Sequence, residues 1–174
     1  MTEYSFILKY RLSDEDRDAD ALVERLGEAG CTDALVGVGI AGRLALDFTR
    51  EAGSAREAVR SALTDIKVAI PTATLVEAAP DLVGLTDVAD LMGVARQSMR
   101  KLMLGHDDFP LPVHDGSVVL WHLADVLEWL DGRKGYEPDP VVRETAAAAR
   151  AVNIARESHR YVTDAPENLK RLVA

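Results

Sequence analysis

Leu85 to Leu104 reads LTDVADLMGVARQSMRKLML, and this stretch has the pattern of a helix-turn-helix. Thr86 is placed to N-cap a short first helix, whose positive N-terminal end suits Asp87 and Asp90. Val88, Ala89 and Met92 set apolar groups on one face, and Ala89 is small enough for two helices to cross closely. Gly93 falls where the chain needs a left-handed turn that a side chain resists. Val94 fills the corner, and Met99 and Leu102 anchor a second helix at i, i+3 spacing. Arg96, Gln97, Arg100 and Lys101 then share its outer face, and Ser98 also falls on the side turned toward DNA. One buried stripe opposite a face of long hydrogen-bonding side chains is what a helix needs to lie in a major groove. An ordinary helical hairpin also carries an Ala and a Gly at similar spacing, so this window by itself leaves both readings open.

The residues that follow narrow the choice. Phe109-Pro110-Leu111-Pro112 is too proline-rich to stay helical and leads into an extended segment at Val113. His114-Asp115-Gly116-Ser117 reads as a turn, with Gly116 free to take positive φ. Ser117 to Trp121 is β-branched and apolar, which predicts a small hairpin. Leu123, Val126, Leu127 and Leu130 then recur at helical spacing, with Trp129 on the flank. Helix-turn-helix, hairpin and helix in that order form a winged-helix layout.

Residues 84–131 resemble the small winged helix-turn-helix of the excisionase and AlpA-type DNA-binding proteins, which are related to MerR-type heads. The resemblance runs through Leu85-Thr86, Ala89, Gly93-Val94, Arg96 with Arg100, Phe109 to Val113, and Asp125-Val126 with Trp129-Leu130. It covers under a third of the chain, continuously and in order. What it implies is sequence-specific binding of double-stranded DNA, in control of transcription or recombination. The tip from His114 to Ser117 departs from such wings, which often carry arginines and lysines for phosphates.

Composition bounds the rest. A chain of 174 residues, 48% hydrophobic, holds one medium domain or two small ones and can bury a core. No apolar run approaches the ~20 residues that span a bilayer, and MTEYSFILKYRL lacks the layout of a signal peptide. Cys31 is the only cysteine, which excludes an internal disulfide and a cysteine-cluster zinc site and makes a cytoplasmic location the default. The charge argues against tight DNA binding: the net is −9, whereas phosphate-dominated binding asks for a basic footprint. Residues 81–135 hold five cations against nine carboxylates, a net of −4. Three of those cations, Arg96, Arg100 and Lys101, fall within six residues. A small basic face on an acidic body predicts weak non-specific binding by one copy. The expectation is therefore a homodimer, or a helix-turn-helix turned to protein contact.

The N-terminal region reads as a separate unit over residues 1–80. Tyr4, Phe6, Leu8, Tyr10 and Leu12 alternate with Ser5, Ile7, Lys9 and Arg11, a strand of period two. SDEDRDAD from Ser13 to Asp20 seeds a helix that Leu22, Val23 and Leu26 carry to Gly30. Asp33 to Ile40 and Arg43 to Thr49 are strands joined at Ala41-Gly42. Ser54 caps a second helix with Ala55, Ala58, Val59, Ala62, Leu63 and Ile66 inward, and Thr74 to Ala78 is the last strand before Pro80. The order β-α-β-β-α-β is that of ferredoxin-like folds. Two helices cover one sheet face, so the other stays wet or meets a partner. It could bind a small-molecule effector, as the similarly ordered ACT-type domains do, or pair two copies. VGVGIAG around Gly37 and Gly39 lacks the following helix of a dinucleotide fingerprint.

Gly132 to Pro140 is a Gly/Pro linker between the winged helix, residues 81–135, and a C-terminal helix over about 138–162. Val142, Thr145, Ala149, Val152 and Arg156 form a stripe of mostly small residues on that helix, suited to close packing on a twin in a dimer or back on its own chain. The tail from Thr163 is short and polar, with one last turn at Leu169, Leu172 and Val173. His106, His114 and His122 recur every eight residues, a spacing that fits no common ligand motif, so no metal and no cofactor is expected. No nucleophile-elbow, HExxH or Walker sequence is present, and no enzyme activity is expected. The sequence thus points to an α+β protein: a ferredoxin-like unit, a winged helix-turn-helix and a C-terminal helix. Its expected function is that of a DNA-binding regulator, with a protein-contact adaptor and an effector-sensing regulator as the competing readings.

Overall fold

The alternation in the first strand has a direct structural consequence. In the computed structural model, which describes residues 1–161 and Val173, β1 (Thr2–Arg11) buries Tyr4, Phe6, Leu8 and Tyr10 on one face. It pairs along its whole length with β3 (Arg43–Ala52), antiparallel, from Thr2 opposite Ala52 to Arg11 opposite Arg43. Leu44, Leu46 and Phe48 of β3 are buried on the same face, and Phe6 stacks on Phe48 at 5.1 Å. β2 (Ala34–Gly37) and β4 (Thr74–Ala79) complete an antiparallel sheet of order β2-β3-β1-β4. β2 is shorter than the sequence suggests. The chain leaves the ladder after Gly37, and residues 38–42 close back through an Ile40 carbonyl that accepts the Arg43 N–H at 2.9 Å.

Helix α1 (Ala19–Glu28) starts where the Asp18 carboxylate accepts the N–H groups of Asp20 and Ala21. Leu22 and Leu26 are buried beneath it, while Val23 is 49% exposed and points away from the core. The reason is angular: one residue on from Leu22 is a step of about 100° around the helix, toward solvent. α2 (Ala55–Ala69) is capped by Ser54, whose hydroxyl accepts the Glu57 N–H, and buries Ala55, Ala58, Val59, Ala62 and Ile66.

A second group of elements follows β4. β5 (Leu82–Val83) pairs with β7 (Val119–His122), which pairs with β6 (His114–Asp115), giving a three-stranded sheet of order β5-β7-β6. His114 and Asp115 are therefore strand residues, and the turn lies at 116–118. Around this sheet stand α3 (Leu85–Leu91), α4 (Arg96–Leu104) and α5 (Leu123–Leu130). Val88, Ala89, Met99, Trp121, Val126, Leu127 and Leu130 form their common core.

Helix α6 (Pro140–Tyr161) joins the two groups. Ala148 and Ala149 lie in the core of the first sheet, while Ala146 lies in the core of the second group. The stripe of small residues is thus buried within its own chain and is closed to a twin helix. Three helices, not two, then cover the inner face of the four-stranded sheet, and its outer face is mixed, with Glu3, Ser5, Lys9, Asp47 and Glu51 exposed beside Leu35, which is 77% exposed. The region from 132 to 139 is an ordered connection: Tyr136 packs on the second core and Asp139 accepts the Val141 N–H at 2.8 Å. No helix of the described residues is long and apolar enough to cross a membrane. The expected turn at Leu169 and Leu172 lies outside the described residues.

Polar contacts fix α6 in place. The Tyr4 hydroxyl donates to Glu144, whose other oxygen accepts the Ala55 N–H at 3.0 Å. Deeper in, Asn153 accepts the Ala78 N–H at 2.9 Å and donates to the Ala78 carbonyl at 2.8 Å and to Asp81 at 2.7 Å. Truncating this amide would leave three buried polar groups without partners, each worth about 1–3 kcal/mol. Asn153→Ala is expected to lower stability by roughly 3 kcal/mol, measured by urea unfolding. A change below about 0.5 kcal/mol would mean that water replaces the amide without loss.

Candidate nucleic-acid interface

β5 delivers the chain to α3, and this sets where the helix begins. Gly84, in extended conformation, is the N-cap residue, and the Asp87 carboxylate reaches back to accept its N–H at 2.7 Å. Thr86 is therefore not the cap expected from sequence. It sits at the second helical position with its side chain exposed, because the strand pairing of Val83 leaves room for the helix to start at Leu85. Val88 and Ala89 face inward, and Ala89 has no exposed surface.

The turn from Met92 to Ala95 reverses the chain. Gly93 takes φ +65°, and the Val94 N–H donates to the Ala89 carbonyl at 3.0 Å, closing the turn. α4 then begins at Arg96 after Ala95, which supplies no side-chain cap. Met99 is wholly buried and Leu102 half-buried, so they anchor α4 as the spacing predicts. Arg96, Gln97, Ser98, Arg100 and Lys101 are all exposed, and among the described residues none of the three cations is in an ion pair. The structure thus places these five side chains on one short, outward helix, with Thr86 on the neighbouring helix.

The cations beyond α4 are used differently. Arg133 lies over the Trp129 ring at 3.6 Å and donates to Asp108 at 2.6 Å, so it braces the end of α5. The Trp129 indole N–H and the Arg133 guanidinium hold the Asp108 carboxyl below the usual carboxylate range. His106 donates from Nδ1 to the Leu102 carbonyl at 2.9 Å and meets Trp129 edge-on, which closes the C-terminal end of α4. His122 donates to Asp81 instead, and His114 lies over Gly116, where a Cβ would come within 2.6 Å of its Nε2. Gly116 does not take the positive φ that the sequence suggests, and a Cβ here would meet only the exposed His114 ring, which is free to swing aside. His106 and His122 thus have separate partners, and His114 stands on the exposed hairpin. The tip of the β6–β7 hairpin, residues 115–118, carries no cation.

No family model, no curated protein and no solved structure matches this chain.

The geometry of the Gly93 turn yields a test. No atom lies within 4 Å of a Cβ at this position, so a methyl group meets no steric barrier, only the cost of a left-handed backbone. Gly93→Ala is expected to cost about 1 kcal/mol in thermal or urea unfolding. A neutral or stabilising effect would show that the turn can adopt another conformation.

Proposed function

We propose that this chain is a sequence-specific double-stranded DNA-binding protein, a transcriptional regulator, in which α3 and α4 act as a helix-turn-helix and the β6–β7 hairpin as its wing. On this reading the β1–α1–β2–β3–α2–β4 unit is a ferredoxin-like domain that carries the DNA-binding unit. The observation that supports it is the outer face of α4. Arg96, Gln97, Arg100 and Lys101 project from one exposed helix without ion-pair partners among the described residues, although the chain has 29 carboxylates and 20 cations. In so acidic a protein, unpaired surface cations on one helix face suit an external polyanion.

The roles follow from side-chain chemistry. Gln97 can give and accept a hydrogen bond at the edge of an adenine, and Arg96 and Arg100 can donate to a guanine in two parallel bonds. Lys101 and Ser98 suit phosphate oxygens, as does Thr86 beside the start of α3. With few cations and a bare hairpin tip, one copy neutralises few phosphates, so affinity falls shallowly with salt. Two copies on paired half-sites are the form in which such a face binds tightly.

A second reading has one observation in its favour. Leu111, Val113 and Val118, along the hairpin and its approach, are 87%, 52% and 59% exposed. An apolar hairpin that carries Asp115 and no cation at its tip suits a protein surface better than a phosphate backbone, as in an adaptor.

Selection from a random double-stranded DNA pool with the full chain separates the two. An enriched motif, with half-sites about one helical turn apart, is the expected result. Arg96→Ala should then cost about 1–3 kcal/mol on that motif and relax preference at one base pair. A pool that stays random at low salt would contradict DNA binding and favour the adaptor.

A further inference from the structure

At the end of the four-stranded sheet farthest from Tyr4, the last turns of α6 and the edge strand β4 enclose a cleft of about 520 Å³. Arg11, Arg43, Arg156, Arg160 and His159 line it, together with residues 74–76. We propose that this cleft binds the pyrophosphate group of a small phosphorylated molecule.

Three observations carry the assignment. First, Arg11 and Arg43 are directly opposite each other on β1 and β3, and neither is in an ion pair among the described residues. Like charges facing across a ladder repel, and a protein of net charge −9 has carboxylates enough to avoid the pairing. Second, the Arg156 Nε is buried and has no acceptor among the described residues, although its other nitrogens donate to the Val76 carbonyl and to Glu157. A buried N–H without an acceptor is rare in a folded chain, and a small shift of this guanidinium toward the cleft would let a bound anion satisfy it. Third, β4 slips register against β1 between Lys9 and Tyr10, which leaves Val76 outside the pairing and its carbonyl free for Arg156. Such bulges re-aim side chains beside binding sites.

The chemistry narrows the ligand. Glu157 offsets one of the four guanidinium charges, so the cleft takes a ligand with at least two negative charges. Guanidinium forks match the paired oxygens of phosphoryl groups, and four of them favour two linked phosphoryl groups over one carboxylate. The volume falls within the range of about 300–1,000 Å³ usual for small-molecule sites, which leaves room for the rest of a nucleotide-sized molecule.

Titration calorimetry of the full chain, without DNA, tests the proposal. The two probes are inorganic pyrophosphate and ADP, which distinguish a free inorganic ligand from a nucleoside diphosphate. One site per chain is expected for either probe, with micromolar affinity for at least one of them. In the double variant Arg11→Ala/Arg43→Ala that affinity should fall at least tenfold while the unliganded melting temperature holds or rises, because a repulsion has been removed. Should the double variant fail to fold, Arg160→Ala decides by the same reading, with a loss of at least threefold. The absence of binding by both probes, or equal affinity in the folded variants, would overturn the assignment.

Discussion

Asp81 is 1% exposed, and both of its carboxylate oxygens are engaged: one accepts from Asn153 of α6 at 2.7 Å, the other from His122 of β7 at 2.7 Å. Its carbonyl accepts the Leu123 N–H at 2.7 Å, at the start of α5. A carboxylate withdrawn from water costs several kcal/mol unless its lone pairs are filled, so these elements must meet in one arrangement. Asp81 lies between β4 and β5, at the point where the chain passes from the first sheet to the second. Asn153 completes the junction by bonding in both directions to Ala78, much as a neighbouring strand residue would. Helix α6 contributes alanines to both cores, but apolar contact alone would let it slide. The polar cluster fixes its position along the axis.

That position has consequences at both ends of the helix. Near its start, Arg143 and Arg150 pair with Asp131 and Asp125 of the second group, taking cations and carboxylates out of play on that side. Arg133 is likewise held by Trp129 and Asp108. Apart from the exposed Lys134, the positive charge left free in residues 81–135 is thereby concentrated on α4, which is why a segment of net −4 can still present a basic face. At the far end, α6 delivers Arg156, His159 and Arg160 to the sheet edge.

Much of this was readable from local pattern. Period-two alternation gave β1 with its inward residues, Ser54 marked the start of α2, and Met99 with Leu102 gave the buried side of α4. What local pattern does not carry is non-local or very short. β5 has two residues, too few for any periodicity to show, yet it moves the start of α3 to Leu85 and takes the capping role from Thr86. The alanine stripe of α6 was visible, but a stripe of small residues does not say which surface it meets. Asn153 and Asp81 lie 72 residues apart, and each alone reads as a polar residue in a helix or a turn. Arg50 is similar: alternation places it inward on β3, where Asp33, Ser61 and Asp65 receive it, and no spacing links those partners. For the candidate interface, the sequence supplied the outward side chains of α4 correctly as a set, because helix periodicity alone decides which way they point.

The dependence of both groups on one helix can be measured directly. Both tryptophans, Trp121 and Trp129, belong to the second core, so fluorescence reports that group alone. Cys31 belongs to the first, and burial, with Asp65 nearby, pushes its thiol up to about 11, so it reacts only when that group opens. Urea unfolding followed by tryptophan fluorescence and by labelling of Cys31 should give one midpoint for both signals, because losing α6 opens both cores together. Two separated midpoints, with one core intact while the other has unfolded, would contradict the account.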